Sequence, residues 1–218
     1  TRKYIHENFK ILEIVECDDP YLETQQKTVI LMVQKTAFET QPPVVLNMGS
    51  YLTFGTVENI RKLKLLIEGS TTLEKIDVNV KVGTIIWNEC KQELTDDPTN
   101  TRLIYSSDII ENKLSLTKYK NLSKKNYIIR KGVTGKCVII NRGYGVGKYK
   151  FEYCLVDNEF EYLLENHIIC VTPTNCETLM KSLDDHRTKK FIDLYFGNNA
   201  INTTEILKIL PIYLPPPS

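Results

Sequence analysis

The stretch Cys137-Val138-Ile139-Ile140-Asn141-Arg142-Gly143-Tyr144-Gly145-Val146-Gly147-Lys148-Tyr149-Lys150-Phe151-Glu152-Tyr153-Cys154-Leu155-Val156 decides the reading of the fold. Four apolar residues form a short strand, and a glycine-rich basic loop follows it. From Tyr149 to Val156 the chain then alternates Tyr, Phe, Tyr and Leu against Lys, Glu, Cys and Val. A period of two over this length predicts a half-buried strand. Strand signals recur on both sides, at Lys81–Asn88 behind a Gly83 turn, Leu103-Ile104-Tyr105, Tyr127-Ile128-Ile129 and His167–Val171. Asp96-Asp97-Pro98-Thr99-Asn100 is a turn cluster. The middle of the chain is therefore strand-rich.

The pattern changes at Pro173. Leu179, Leu183, Phe191, Ile192, Leu194 and Tyr195 suit a helix from Thr174 or Asn175 to Phe196, broken near Asp184-Asp185 and stopped by Gly197-Asn198-Asn199. Thr203 or Thr204 is the expected cap of a second short helix through Leu210. On the N-terminal side, Val57, Ile60, Leu63, Leu66 and Ile67 predict a helix over 57–67, with Gly69 as its stop. Val44–Met48 reads as a short strand. Residues 2–8 read as a helix, and Phe9–Glu16 and Lys27–Lys35 as strands. Val29, Ile30, Leu31, Met32 and Val33 are five apolar residues in succession, which predicts burial on both faces of a sheet. Two strands are too few for a domain, so this segment reads as the end of an α/β sheet. The fold class is α+β.

The chain has 218 residues, 42% hydrophobic and 25% charged, with a net charge of +1. This is ordinary globular composition and excludes a wholly disordered or fibrous chain. The distribution of charge is more informative than its sum. Residues 113–150 carry 11 basic residues and no acid, whereas residues 1–112 carry 12 basic and 17 acidic, and residues 151–218 carry 5 and 10. No run approaches the ~20 apolar residues of a membrane span, and Thr1-Arg2-Lys3-Tyr4 does not open a secretory signal. The first residue is not Met, which suggests a trimmed or excised piece. The six cysteines are scattered, with no C-x2-C pair, and His6, His167 and His186 complete no zinc template. Buried reduced thiols in an intracellular, cytoplasmic protein are expected.

No catalytic constellation is present: neither G-x-S-x-G nor H-E-x-x-H occurs. Asp96-Asp97 and Asp184-Asp185 read as turn or helix caps rather than magnesium ligands. His167 reads as structural, and Trp87 as core. Gly143-x-Gly145-x-Gly147 lacks the G-x-x-x-x-G-K-[ST] pattern of a nucleotide phosphate loop. It lies instead in the basic segment, beside Gly132-Val133-Thr134-Gly135-Lys136. Glycines admit a bulky partner close to the backbone, and Lys and Arg neutralise phosphates. Tyr144 and Tyr149 suit stacking or packing on sugar. This combination points to nucleic acid; the plainer alternative is a solvated hairpin.

Several pieces, in order, resemble the C-terminal part of gamma-class DNA adenine-N6 methyltransferases of restriction-modification systems. Thr1-Arg2-Lys3-Tyr4-Ile5-His6-Glu7-Asn8-Phe9-Lys10-Ile11 resembles the helix and strand that follow the family's catalytic Asn-Pro-Pro-Tyr motif, and Thr24 to Lys35 a late strand of the same catalytic fold. Val82-Gly83-x-Ile85-Ile86-Trp87-Asn88-x-x-Lys91-x-x-Leu94-Thr95-Asp96-Asp97, followed by Leu103-Ile104-Tyr105-Ser106-Ser107-Asp108-Ile109, resembles the opening of a target recognition domain. Arg187-Thr188-Lys189-Lys190-Phe191 through Tyr195-Phe196-Gly197-Asn198-Asn199-Ala200-Ile201-Asn202-Thr203-Thr204-Glu205-x-Leu207, then Leu210-Pro211-Ile212, resembles its close. The resemblance implies a catalytic-domain end over residues 1–45 and a DNA target recognition domain over 46–218. It also implies double-stranded DNA as partner, a missing catalytic domain or subunit, and S-adenosylmethionine as cofactor of the complete enzyme.

The sequence contains no Asn-Pro-Pro-Tyr or Asp-Pro-Pro-Tyr and no glycine-rich cofactor loop after a first strand. That chemistry needs a clamp on the flipped adenine. The chain is therefore expected to be inert alone, with no catalytic, cofactor or metal residues of its own. Phosphate contacts position such a protein and base contacts specify its site. Lys118, Lys120, Lys124, Lys125, Lys131, Lys136, Lys148 and Lys150 are the candidate phosphate contacts. Arg130 and Arg142 suit guanine, Asn141 suits adenine, and Tyr144 joins the DNA-binding set. The alternatives are a separate specificity subunit of a multi-subunit restriction-modification enzyme and a non-catalytic protein-interaction module. A nuclease is disfavoured, since no P-D-x(n)-E-x-K arrangement stands out.

Overall fold

The computed structural model describes residues 1–17, 28–36, 40, 42–49, 51–116, 118–119, 123–143, 149–157, 159–196 and 200–215. In chain order it contains α1 (Arg2–Asn8), β1 (Lys10–Cys17), β2 (Thr28–Gln34), β3 (Val45–Met48), β4 (Tyr51–Phe54), α2 (Val57–Ile67), β5 (Val78–Val82), β6 (Leu94–Thr95) and β7 (Thr101–Ile104). There follow β8 (Ile109–Ile110), β9 (Lys113–Leu114), β10 (Tyr127–Ile128), β11 (Cys137–Asn141), β12 (Tyr153–Val156), β13 (Tyr162–Leu164), β14 (Ile168–Pro173), α3 (Cys176–Asp184), α4 (His186–Tyr195) and α5 (Thr203–Lys208). The architecture is α+β, with strand-rich sheets followed by C-terminal helices.

The core is layered around the antiparallel sheet β12-β11-β14-β5. Successive side chains alternate between its faces. Val138, Ile140, Tyr153, Ile169 and Val171 pack against Leu179, Leu183, Phe191, Ile192 and Ile206 of α3, α4 and α5, and against Ile60 and Leu63 of α2. Cys137, Ile139, Cys154, Val156, Ile168 and Cys170 point the other way, onto Ile104, Tyr162 and Leu164. Those three belong to a second sheet, β13-β7-β10-β6, in which β13 runs parallel to β7. Its far face, Leu103 and Ile128, packs with Ile85, Cys90 and Tyr105.

This layering corrects two strand readings. Tyr149–Val156 was expected to be half-buried along its length, but only Tyr153–Val156 is strand. Cys154 and Val156 are as buried as Tyr153, because a second sheet covers the face that alternation assigns to solvent. Lys81–Asn88 is not one strand either: β5 ends at Val82, Ile85 forms a single bridge to Glu165, and Trp87 lies in a turn. The cause is Gly83, where an added Cβ would stand 2.0 Å from the Glu165 carbonyl oxygen. The chain leaves the sheet there by passing tightly over the β13–β14 connection.

The helices carry their own stop signals. Thr56 accepts from the Asn59 N–H at the start of α2, and Gly69 follows its end with φ +69. Asn175 caps α3 and Asp185 caps α4, which divides the predicted long helix at Asp184-Asp185. The cap of α5 is Asn202 rather than Thr203 or Thr204. Asn202 accepts from the Glu205 N–H at 2.9 Å while Glu205 accepts from the Asn202 N–H at 2.9 Å, a reciprocal capping box. The predicted Gly197-Asn198-Asn199 stop lies outside the described residues.

Strands β1 and β2 form an antiparallel ribbon with a register shift between Ile11 and Glu13. Ile11 and Ile14 are buried with Val44 in a small separate cluster. Here the prediction of burial on both faces fails: Ile30 and Met32 on one face and Val29 and Val33 on the other are all exposed, because nothing in the described chain covers the first face and the small cluster on the second reaches only Leu31.

Candidate nucleic-acid interface

The acid-free segment is not acid-free in space. Arg130 pairs with Glu93 and Lys125 with Asp96. Lys136 Nζ lies 2.7 Å from Asp157 and Lys150 Nζ 2.5 Å from Glu152. Each acid comes from a flanking segment. These hydrogen-bonded partners raise the pKa of Arg130, Lys136 and Lys150 and lower that of Glu93. Arg130, Lys136 and Lys150 are exposed, where such pairs contribute little to stability, although Glu152 itself is buried. Lys118, Lys131 and Arg142 make no ion pair among the described residues. Lys118 and Lys131 are exposed, and Arg142 donates to the Asn166 carbonyl at 3.4 Å. Asn141 spends its side-chain oxygen on the Gly143 N–H at 2.9 Å, which shapes the start of the glycine loop. Lys120, Tyr144 and Lys148 lie outside the described residues.

Lys124 has a different place from its neighbours. Its ammonium sits 4.0 Å from the ring centroid of Tyr105 and 4.3 Å from that of Tyr119, and donates to Ser107 Oγ at 3.1 Å. Burial lowers its pKa, and the charges of Glu165 and Asp108 oppose that shift. Beneath it lie two buried carboxylates that the sequence reading missed. Asp108 accepts from the Tyr105 N–H at 2.9 Å and the Tyr119 hydroxyl at 2.6 Å, with the Arg102 guanidinium 3.9 Å away. Desolvation still pushes its carboxyl up. Glu165 accepts from the Ser106 N–H at 3.1 Å and faces His167 Nδ1 at 3.2 Å. A buried carboxylate persists only with such partners. This network ties the turn after β7 to the connection before β14 and holds Tyr119 and Lys124 against the β7 turn. Ser106-Ser107-Asp108 entered the sequence reading only as part of the resemblance; neither its turn nor the burial of Asp108 was read there.

Beside this network opens a cleft of about 980 Å³. The Pro98–Asn100 turn forms one wall and Leu116 another, with Phe160 and Glu161 completing the lining. Strand β10 supplies Tyr127, and Ile129, Arg130 and Lys131 follow it along the rim. The Arg102 guanidinium lies 5.4 Å from the Tyr127 ring centroid. A smaller cavity of about 390 Å³ is lined by Arg2, Tyr51, Tyr195, Asn202–Glu205 and Ile209.

Neither cavity has the glycine-backbone cradle that an S-adenosylmethionine site of the resembled family needs, so the residues here do not fit that cofactor. Among the described residues no group of three or more His, Cys, Asp or Glu side chains is placed to hold a metal ion. No helix among them is long and apolar enough to cross a membrane. All six cysteines are free thiols, four of them buried.

No protein-family model matches the chain. Over 161 residues it is 24% identical to the Type II methyltransferase M.CvrRI of Paramecium bursaria Chlorella virus XZ-6E. The match covers 70% of this chain and 39% of that protein, so the chain spans well under half of its relative's length. The chain is thus a distant relative of a Type II methyltransferase, with an α+β fold.

Proposed function

We propose that this chain reads duplex DNA for a site-specific, S-adenosylmethionine-dependent DNA adenine-N6 methyltransferase of restriction-modification type. In this reading residues 46–218 are the target recognition domain and residues 1–45 belong to the end of the catalytic sheet. The catalytic domain or subunit is then a partner rather than part of this chain. The observation that carries the reading is the 161-residue similarity to M.CvrRI in a chain that lacks the adenine-clamping and cofactor motifs. The cations of residues 113–150 support DNA as the partner. The exposed apolar ribbon of β1 and β2 favours this reading over a free-standing specificity subunit, which has no need of such strands.

The test is binding of the 218-residue chain to duplex DNA across a salt series. Neutralising Z phosphates gives a log-log slope of about −0.9Z, so affinity falls steeply with salt. Absence of binding at low salt overturns the reading. Incubation with DNA and labelled S-adenosylmethionine is expected to give no methyl transfer. Transfer to adenine by this chain alone overturns the assignment of catalysis to a partner.

A further inference from the structure

We infer that the cleft flanking β10 is the surface that meets the base edges, with Ile129 as its apolar contact and Lys131 holding a flanking phosphate. This rests on the DNA-recognition reading and assigns it a place. Ile128 is fully buried in the core, whereas Tyr127, its neighbour in β10, and Ile129, just past the strand's end, line the cleft. There Ile129 is 60% exposed, and Leu116, from a different loop, is 39% exposed on the same cleft. Single exposed aliphatic side chains are ordinary on a protein surface. Two that converge from separate segments on a cation-lined cleft are a feature of that cleft.

The charge of the lining selects the occupant. Arg130 is held by Glu93 and the Arg102 guanidinium lies 3.9 Å from Asp108, so Lys131 is the lining cation with no ion pair among the described residues, and Glu161 is the lining acid. The Glu161 carboxylate is already engaged, accepting from the Gly132 N–H at 3.2 Å and lying 3.5 Å from the Thr101 hydroxyl. Lys131 is left to meet an anionic group such as a phosphate. Small-molecule pockets bury 70–90% or more of a drug-sized ligand, whereas this cleft is broad and open. An apolar floor beside the unpaired Lys131 matches duplex DNA, whose phosphates flank a groove floor that carries the thymine methyl group.

Two variants of exposed residues separate the roles. The full chain and its I129S and K131A forms are compared by salt titration on one duplex and by selection from a random duplex pool. Lys131→Ala is expected to weaken binding several-fold on all sequences and to reduce the salt slope by about 0.9. Ile129→Ser is expected to keep that slope and flatten preference at one A·T position by about fivefold or more. Melting temperatures are expected to match the parent, which distinguishes lost contact from lost fold. Suppose the parent binds DNA but both variants keep its affinity, slope and preference. The cleft is then not the reading surface, while the DNA reading itself stands. Loss of association with a protein partner at unchanged DNA binding also overturns the proposal. Failure of the parent to bind DNA removes both.

Discussion

Arg130 clasps Glu93 at two points, with Nε on one carboxylate oxygen and Nη2 on the other at 2.5 Å. The pair joins the rim of the cleft to the turn before β6. A carboxylate in this position occupies the donors that a phosphate or a guanine edge would use. On the DNA reading, Glu93 competes with the ligand. Glu93→Gln is therefore expected to tighten binding to duplex DNA and to steepen its salt dependence. An exposed ion pair is worth roughly 0–1 kcal/mol, so the gain is at most about fivefold. Titration of the variant beside the parent at two salt concentrations checks this. Unchanged or weaker binding means that Arg130 is a structural partner of Glu93 and contributes nothing to DNA.

Gly83 is the tightest backbone approach among the described glycines. An added Cβ would meet the Glu165 carbonyl oxygen at 2.0 Å and the Leu164 carbonyl oxygen at 2.6 Å. Both are backbone atoms of a segment held by the buried Glu165 network, so neither can swing aside. Gly83→Ala is expected to cost at least about 2 kcal/mol, at the upper end of overpacking effects. Gly69→Ala is the control: φ is +69 with open space around it, so only the left-handed conformation is penalised, by about 1–2 kcal/mol. Urea denaturation of both variants ranks them, and a Gly83→Ala protein as stable as Gly69→Ala contradicts the close crossing.

The ribbon of β1 and β2 makes a prediction of the opposite kind. Ile30 is 57% and Met32 43% exposed. Replacing both with Lys removes apolar surface that is already in water, and surface changes of this kind stay within about 0.5 kcal/mol each. Thermal unfolding of the double variant is expected to match the parent. A large drop in melting temperature would mean that a second copy or another partner covers the ribbon in solution.

How far the sequence could be read depended on whether one period or two faces governed a segment. The helix over 57–67 was legible to the residue, because one apolar stripe and the Gly69 stop agree; the Thr56 cap is added by the structure. The strand read at Cys137–Ile140 was legible as a short continuous apolar run, and the structure extends it by Asn141. Tyr149–Val156 misled, since alternation with solvent and alternation between two packed sheets look alike when Cys and Val occupy the second face. Val29–Val33 misled in the other direction: an apolar run records what a strand is suited to pack against, and the described chain holds no such cover. The basic segment was legible as sequence, but its neutralisation was not. Glu93 lies 37 residues from Arg130 and Asp96 29 from Lys125, separations that only the sheet pairing of β6 with β10 closes. Tyr127 and Ile129 read as strand residues, and nothing in their spacing marks the face that opens on the cleft.

Asp185 gives the pH dependence its clearest sign. Its carboxylate caps α4 by accepting from the Arg187 N–H at 2.8 Å and grips the Arg187 guanidinium at 2.7 and 3.0 Å. That guanidinium stacks 3.7 Å from the Tyr213 ring centroid. Tyr213 in turn donates its hydroxyl to the Leu66 carbonyl at 2.6 Å, so one acid steadies the contact among α2, α4 and the C-terminal segment. Hydrogen bonds from Arg187 outweigh desolvation and pull the carboxyl down from 3.8 to about 2. A depressed carboxylate binds its proton more weakly in the folded state. Its contribution is therefore complete above the ordinary Asp range and is lost as pH falls through about 2. Asp185→Ala removes cap and ion pair together and is expected to cost about 1–2 kcal/mol at neutral pH. Asp185→Asn keeps a capping oxygen but not the charge. Its deficit relative to the parent should be smaller at neutral pH, and should shrink further as the medium is taken from pH 3.8 toward 2. Denaturant unfolding of parent and Asp185→Asn across that interval measures the difference directly. A deficit that stays constant with pH would show that the ion pair with Arg187 adds nothing beyond the cap.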